Sequence, residues 1–126
     1  MKAMSLFAAA MAAALVTPAL AQSPRIVMEE MMVPSDAGID VYVRNKRPAD
    51  MTTSRPERTV LYVHGATYPA STAFDLKLGD MSWMDYIAAR GYDVYLIDLR
   101  GYGKSTRPKE MSEDAAKNAP IAATPP

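Results

Sequence analysis

The chain has 126 residues, 14 Lys plus Arg against 14 Asp plus Glu, one histidine and no cysteine. A single domain is the expectation at this length, and the even charge argues against a nucleic-acid-binding surface. Without cysteine there is no disulfide framework and no thiolate site; one histidine cannot build a multi-histidine centre, so neither a metal nor any other cofactor is expected.

Residues 1–21 have the pattern of a secretory signal peptide. Lys2 is the positive start, Ser5 to Val16 is an uncharged alanine-rich run, Thr17-Pro18 breaks it, and Ala19-Leu20-Ala21 supplies small residues before a cut. The run is too short to cross a hydrocarbon core of about 30 Å. An exported protein, periplasmic or secreted, is therefore expected, with no membrane span in the mature chain.

Arg25 to Val33 is rich in Val, Ile and Met and predicts a strand, followed by a turn over Pro34 to Gly38. Ile39, Val41 and Val43 alternate with polar residues, the period of a half-buried strand. The two strands predict an antiparallel hairpin, and Asn45 to Arg58 reads as a polar loop. Val60 to Val63 and Val94 to Ile97 are unbroken apolar runs, which suit parallel strands buried on both faces. Between them Ser82 and Asp85 form a capping-box pattern. Trp83, Met84, Ile87 and Ala88 follow at helical spacing as one buried face, and Gly91 is placed to stop the helix. Residues 60–97 thus predict a strand–helix–strand unit with a right-handed crossover. From Pro108 onward the chain is Pro- and Ala-rich and reads as a disordered tail. The expected division is a signal peptide (1–21), a folded α/β segment (22–107) and a tail (108–126).

Two motifs sit just after the two apolar strands, where open α/β sheets place their ligands. The first is His64-Gly65-Ala66-Thr67-Tyr68-Pro69 and the second Asp98-Leu99-Arg100-Gly101-Tyr102-Gly103-Lys104-Ser105. A phosphate-binding loop is a poor match to the second, because Asp98 stands where its first glycine belongs. A dinucleotide fingerprint fails at Thr106. A G-x-S-x-G elbow on Ser105 fails at Arg107, and no helix pattern follows. The favoured reading is a tight turn in which Gly101 and Gly103 permit positive φ. Asp98 and Arg100 are expected to brace it by a charge-assisted hydrogen bond. His64 lacks a nucleophile to serve as a base, so it reads as loop support, with Gly65 letting the chain turn. The chemical role then falls to backbone N–H groups after the strand, which can stabilise an oxyanion.

The pair of motifs resembles the N-terminal part of the α/β-hydrolase superfamily, in which one strand ends in His-Gly-x and the next in Asp-x-Arg-Gly-x-Gly-x-Ser. The hairpin and the helix from Ser82 follow the same order, so the resemblance covers roughly residues 25–108. It implies an antiparallel hairpin followed by strand–helix–strand, as the incomplete start of that sheet. The backbone N–H of Ala66 or Thr67 becomes half of an oxyanion hole. Tyr68 and Pro69 line the substrate entrance, with His64 and Gly65 supporting the loop. Asp98, Arg100, Gly101, Gly103 and Ser105 become scaffold. The superfamily's nucleophile, acid and catalytic histidine come later and have no matching position here. The expectation is an inactive N-terminal fragment of an exported serine-type hydrolase acting on a small ester-like substrate. The alternative is a short non-catalytic protein that binds a partner through exposed sheet edges. The exported product is expected to begin at Gln22, which N-terminal sequencing of protein recovered from the periplasm or medium checks.

Overall fold

A computed structural model of the protein describes residues 24–114. The expected signal peptide (1–21) and the expected tail from residue 115 onward lie outside the described residues. A hairpin comes first: β1 (Ile26–Asp36) and β2 (Ile39–Pro48) pair antiparallel around Gly38, whose φ of 74° only glycine adopts at little cost. A 3-10 turn over Pro56–Arg58 leads into β3 (Thr59–Val63). Two short helices follow, α1 (Ala70–Phe74) and α2 (Trp83–Ala88), and then β4 (Asp93–Asp98). A second 3-10 turn, Lys109–Ser112, lies in the stretch read as tail.

The four strands form one mixed sheet in the order β1-β2-β4-β3, with β2 antiparallel and β3 parallel to β4. The fold class is α/β, with the predicted hairpin and strand–helix–strand unit in the predicted order. Register fixes which residues share a face. Ile26, Met28, Tyr42, Val94, Leu96, Val60 and Tyr62 lie on one face, and both helices pack there. The core on that side consists of Tyr42, Ala70, Met84, Ala88, Val94 and Leu96. Tyr62 stacks on Phe74 with ring centroids 4.4 Å apart.

The opposite face is covered by no described element. In register across all four strands it carries Met31, Val43, Ile97 and Val63. Leu61 is 57% exposed and Val63 49%. This corrects the expectation that the apolar run of β3 is buried on both faces: β3 is an edge strand with only Val60 and Tyr62 turned to the core. Its side chains alternate where its sequence does not.

Three further departures have physical reasons. The polar residues after Val43 continue β2 to Pro48 instead of forming a loop, because each buried polar side chain finds a partner. Asn45, for example, donates to Asp93 at 2.5 Å and to the carbonyl of Val94 at 3.1 Å. Trp83 is 54% exposed and stacks on Tyr86, since Met84 and Ala88, four apart, define the buried stripe of α2. Helix α1 has no sequence signal beyond Pro69 before its first turn. The capping box of α2 forms as read: Asp85 N–H donates to Ser82 Oγ at 3.0 Å, and Ser82 N–H to the Asp85 carboxylate at 3.1 Å.

Met84→Ala empties the centre of this small core and is expected to cost about 2–5 kcal/mol. Leu61→Ser, on the open face, is expected to change stability by less than about 0.5 kcal/mol. Urea unfolding of the two variants side by side checks the contrast.

Candidate functional site

Strands β3 and β4 run parallel with Val63 opposite Ile97, so the segments that leave their carboxyl ends start side by side. Each motif begins there. The two are bound to each other through His64 and Asp98.

His64 is buried, at 6% exposure. Its Nε2 accepts the backbone N–H of Leu99 at 2.9 Å, and its Nδ1 lies 2.6 Å from the carbonyl oxygen of Gly65. An amide N–H can only donate and a carbonyl can only accept. Those partners therefore assign the neutral ring with the proton on Nδ1. Both ring nitrogens are occupied, which leaves no lone pair for proton abstraction.

The Tyr102 ring packs tilted against the His64 ring at 4.5 Å, and its hydroxyl donates to the carbonyl of Ala66 at 2.8 Å. The carbonyls of Gly65 and Ala66 are therefore both tied down, one by each ring. In a trans peptide the N–H points opposite to the C=O of the same plane. His64 thus orients the Ala66 N–H, and Tyr102 orients the Thr67 N–H. Neither N–H meets an acceptor among the described residues, and Ala66, Thr67 and Tyr68 are exposed. Two backbone donors on an open loop are thus left without a partner, each in a peptide plane held by a ring.

Asp98 is fully buried, and its oxygens hold two segments through three bonds. Oδ1 accepts the N–H of Ala70, the first residue of α1, at 2.8 Å. Oδ2 accepts the N–H of Lys104 at 3.2 Å, and the Asp98 carbonyl accepts the Ser105 hydroxyl at 2.5 Å. Ser105 in turn accepts the N–H of Tyr42 at 2.8 Å. Its proton goes to a carbonyl and one of its lone pairs takes an N–H, with no free base beside it to activate it for attack. Gly103 has φ 50°, and a Cβ there would fall on the Asp98 carboxylate. Gly101, at φ 85°, is likewise in the left-handed region, and Met111 covers it.

Two expectations are corrected. Arg100 does not brace Asp98: its side chain is exposed and faces Asp36 at 3.9 Å, while backbone N–H groups fill the Asp98 carboxylate instead. Gly65 does not turn the chain through a left-handed φ, and nothing lies within 4 Å of where its Cβ would be. Of the remaining residues, Tyr68 is exposed and Pro69 is half-buried, where its carbonyl accepts the first bonds of α1.

Sequence reasoning missed Tyr102, which lies between the two glycines of the second motif. It also missed an ion network behind α1. Arg44 and Lys46 project from the helix-covered face of β2, and both reach Asp75 at 2.5 Å. Lys46 also reaches Asp85 at 2.6 Å, and Arg44 reaches Glu30 at 2.6 Å. Bonds from the Tyr42 hydroxyl, from Arg44 and from Lys104 hold the Glu30 carboxyl down at about 2. Burial, followed by the Glu30 bond, pushes the Tyr42 hydroxyl up to about 12. The available signal was two cations at i and i+2, in phase with Tyr42 on a strand face that must be covered.

No protein-family profile matches the chain, and no curated protein sequence matches it. Solved structures do. An α-amino acid ester hydrolase superposes with a TM-score of 0.50 at 20% identity, over 74% of this chain and 17% of that one. A thioesterase domain from the curacin biosynthetic pathway gives 0.43 at 24% identity, over 68% of this chain and 26% of its own. Brefeldin A esterase, a bacterial homologue of human hormone-sensitive lipase, gives 0.43 at 17%, over 71% and 24%. The α-amino acid ester hydrolase superposition shows a shared fold of α/β-hydrolase type. The chain spans about a quarter or less of the length of these structures.

Gly103→Ala is expected to cost about 2 kcal/mol or more, from the left-handed φ and the clash with Asp98. Ser105→Ala leaves the Tyr42 N–H and the Asp98 carbonyl short of a partner, and is expected to cost about 1–3 kcal/mol. Arg100→Ala should stay within about 0.5 kcal/mol of the parent. Chemical denaturation of the three variants tests whether the second motif is scaffold.

Proposed function

We propose that this chain is the N-terminal part of an exported serine-type α/β hydrolase, and that it supplies oxyanion stabilisation and not attack. The observation that carries the reading is the loop after β3: the Ala66 and Thr67 N–H groups are held in fixed directions and have no acceptor among the described residues. Such donors lower the barrier for addition to an ester carbonyl, because the negative charge that develops on oxygen meets dipoles already in place. They do nothing for a reaction that builds no such charge.

The described residues offer no attacking group beside a free base. Ser105 is consumed in the turn, and both nitrogens of His64 are bonded. In this reading the nucleophile, its acid and its histidine come from chain beyond the α/β unit seen here, consistent with a fold match to 17% of an α-amino acid ester hydrolase. The substrate is a small ester or a related acyl compound, and attack forms an acyl-enzyme that water then hydrolyses. Tyr68 and Pro69, at the outer end of the donor loop, line the approach to it. By itself the 126-residue chain is inactive.

The coding DNA beyond the Pro126 codon is expected to encode, in some frame, a strand followed by G-x-S-x-G. A fluorophosphonate probe is expected to label that serine in the extended product and to leave the 126-residue chain unlabelled. Labelling of the short chain, or the lack of such a motif in every frame, overturns the proposal. The second outcome favours an interaction protein that uses the open edge and face of β3, where Leu61 and Val63 are exposed.

A further inference from the structure

Three arginines converge at the end of the sheet opposite the donor loop. Arg58 immediately precedes β3 and Arg90 lies shortly before β4; both strands run toward His64 and Leu99, so these arginines mark the far edge. With Arg55 they line an open basin of about 580 Å³, together with Thr52, Thr53 and one acid, Asp50. In a chain of zero net charge, this is a local excess of two positive charges.

The arginines are ordered without being neutralised. The Arg90 guanidinium lies 3.3 Å from the centre of the Tyr86 ring, and that ring is stacked on Trp83. Arg58 lies 4.9 Å from the centre of the Tyr92 ring. Each donates one bond to a backbone carbonyl, Arg90 to Tyr86 at 2.9 Å and Arg58 to Arg90 at 3.4 Å. A guanidinium carries five N–H donors, so most remain available. None of the three arginines forms an ion pair with a described carboxylate, and the Arg55 guanidinium has no hydrogen-bond partner among the described residues. By contrast Arg44 pairs with Glu30 and Asp75, and Arg47 with Glu29. In the basin three unpaired guanidinium groups stand together.

We propose that this basin binds a phosphate group. The planar forks of Arg58 and Arg90, held against aromatic rings, match the bidentate geometry of phosphate oxygens. The Thr52 and Thr53 hydroxyls on the wall supply further donors, and Arg55 closes over the group from the loop. The group is either free, as inorganic phosphate or a small phosphomonoester, or carried on a lipid headgroup. The proposal does not depend on the hydrolase reading, since no residue of the donor loop takes part.

Calorimetric titration of the full chain with inorganic phosphate at low ionic strength tests it, because exposed charges are screened by salt. One saturable phase in the millimolar range is expected. It should weaken about fivefold in Arg55→Gln and vanish in the triple variant R55Q/R58Q/R90Q. Arg100→Gln, at the other end of the sheet, should leave it unchanged. The Arg55 guanidinium has no hydrogen-bond or ion-pair partner among the described residues, so its variant is expected to stay folded, and circular dichroism verifies that. Sedimentation with phosphatidylglycerol vesicles, set against phosphatidylcholine, separates the sources. An Arg55-dependent gain on the anionic vesicles beyond the effect of free phosphate identifies a headgroup, and binding of phosphate alone identifies a free ligand. No saturable binding in either arm, or binding that Arg55→Gln leaves intact, overturns the proposal.

Discussion

The buried carboxylate of Asp98 holds the candidate site together. A carboxylate removed from water is costly unless its oxygens are bonded, and here they are bonded by backbone N–H groups of Ala70 and Lys104. Those two residues are far apart in sequence. The requirement to satisfy Asp98 therefore brings the start of α1 and the glycine turn to the same point at the end of β4. It also sets the need for glycine at 103, where any Cβ would displace the carboxylate. The donor loop between Val63 and Ala70 is then fixed at both ends, by β3 on one side and by Asp98 on the other.

A second constraint acts from behind. Arg44 and Lys46 face the helices, where burial without partners would be strongly unfavourable. Asp75, at the end of α1, takes a bond from each, and the Ser82 hydroxyl also donates to it at 2.6 Å. Asp85 is shared in the same way: it completes the capping box of α2 and accepts from Lys46. Burial raises its carboxyl, but the Lys46 and Ser82 bonds outweigh that and leave it lowered. One end of each helix is thus tied to β2 by charge, in addition to the apolar core beneath them. The core is small, and geometry in this corner is set by directional bonds. Where desolvation offsets attraction, such ion pairs add little net stability, while removing one partner is costly.

How far the sequence was legible follows from the range of each signal. The hairpin and the capping box of α2 are local patterns, and both appear in the structure. Strand β4 is also apolar in sequence, and Val94 and Leu96 are buried under the helices, but Tyr95 and Ile97 on its other face are only half-buried. The same reading failed for β3, because an apolar run says that burial is possible and not which neighbour provides it. Trp83 misled for the mirror reason: helical spacing admits it to the stripe, yet Met84 and Ala88 define the face. The partners of Asp98 were not legible at all. Arg100, two residues away, was the obvious candidate by charge, and the real partners are backbone groups with no side-chain signature. Tyr102 and Asp75 depend on contacts across 36 and 31 residues, to Ala66 and Arg44, which no periodicity encodes.

The donor loop shows why an isolated histidine need not be a base. His64 and Tyr102 do parallel jobs on consecutive peptide planes, each holding a carbonyl so that the N–H behind it faces outward. A donor pair left to solvent would have to reorganise when charge appears on a substrate oxygen, and that reorganisation raises the barrier. A pair whose carbonyls are already bonded has met this cost on folding. Protonating His64 would disrupt the arrangement, because a ring with hydrogen on Nε2 can no longer accept from Leu99. The neutral tautomer is therefore a structural requirement of the loop, and it follows that His64 is unsuited to carrying a proton through a reaction cycle. The bond that fixes the first peptide plane of the loop, together with the one from the Leu99 N–H, occupies both nitrogens of its histidine.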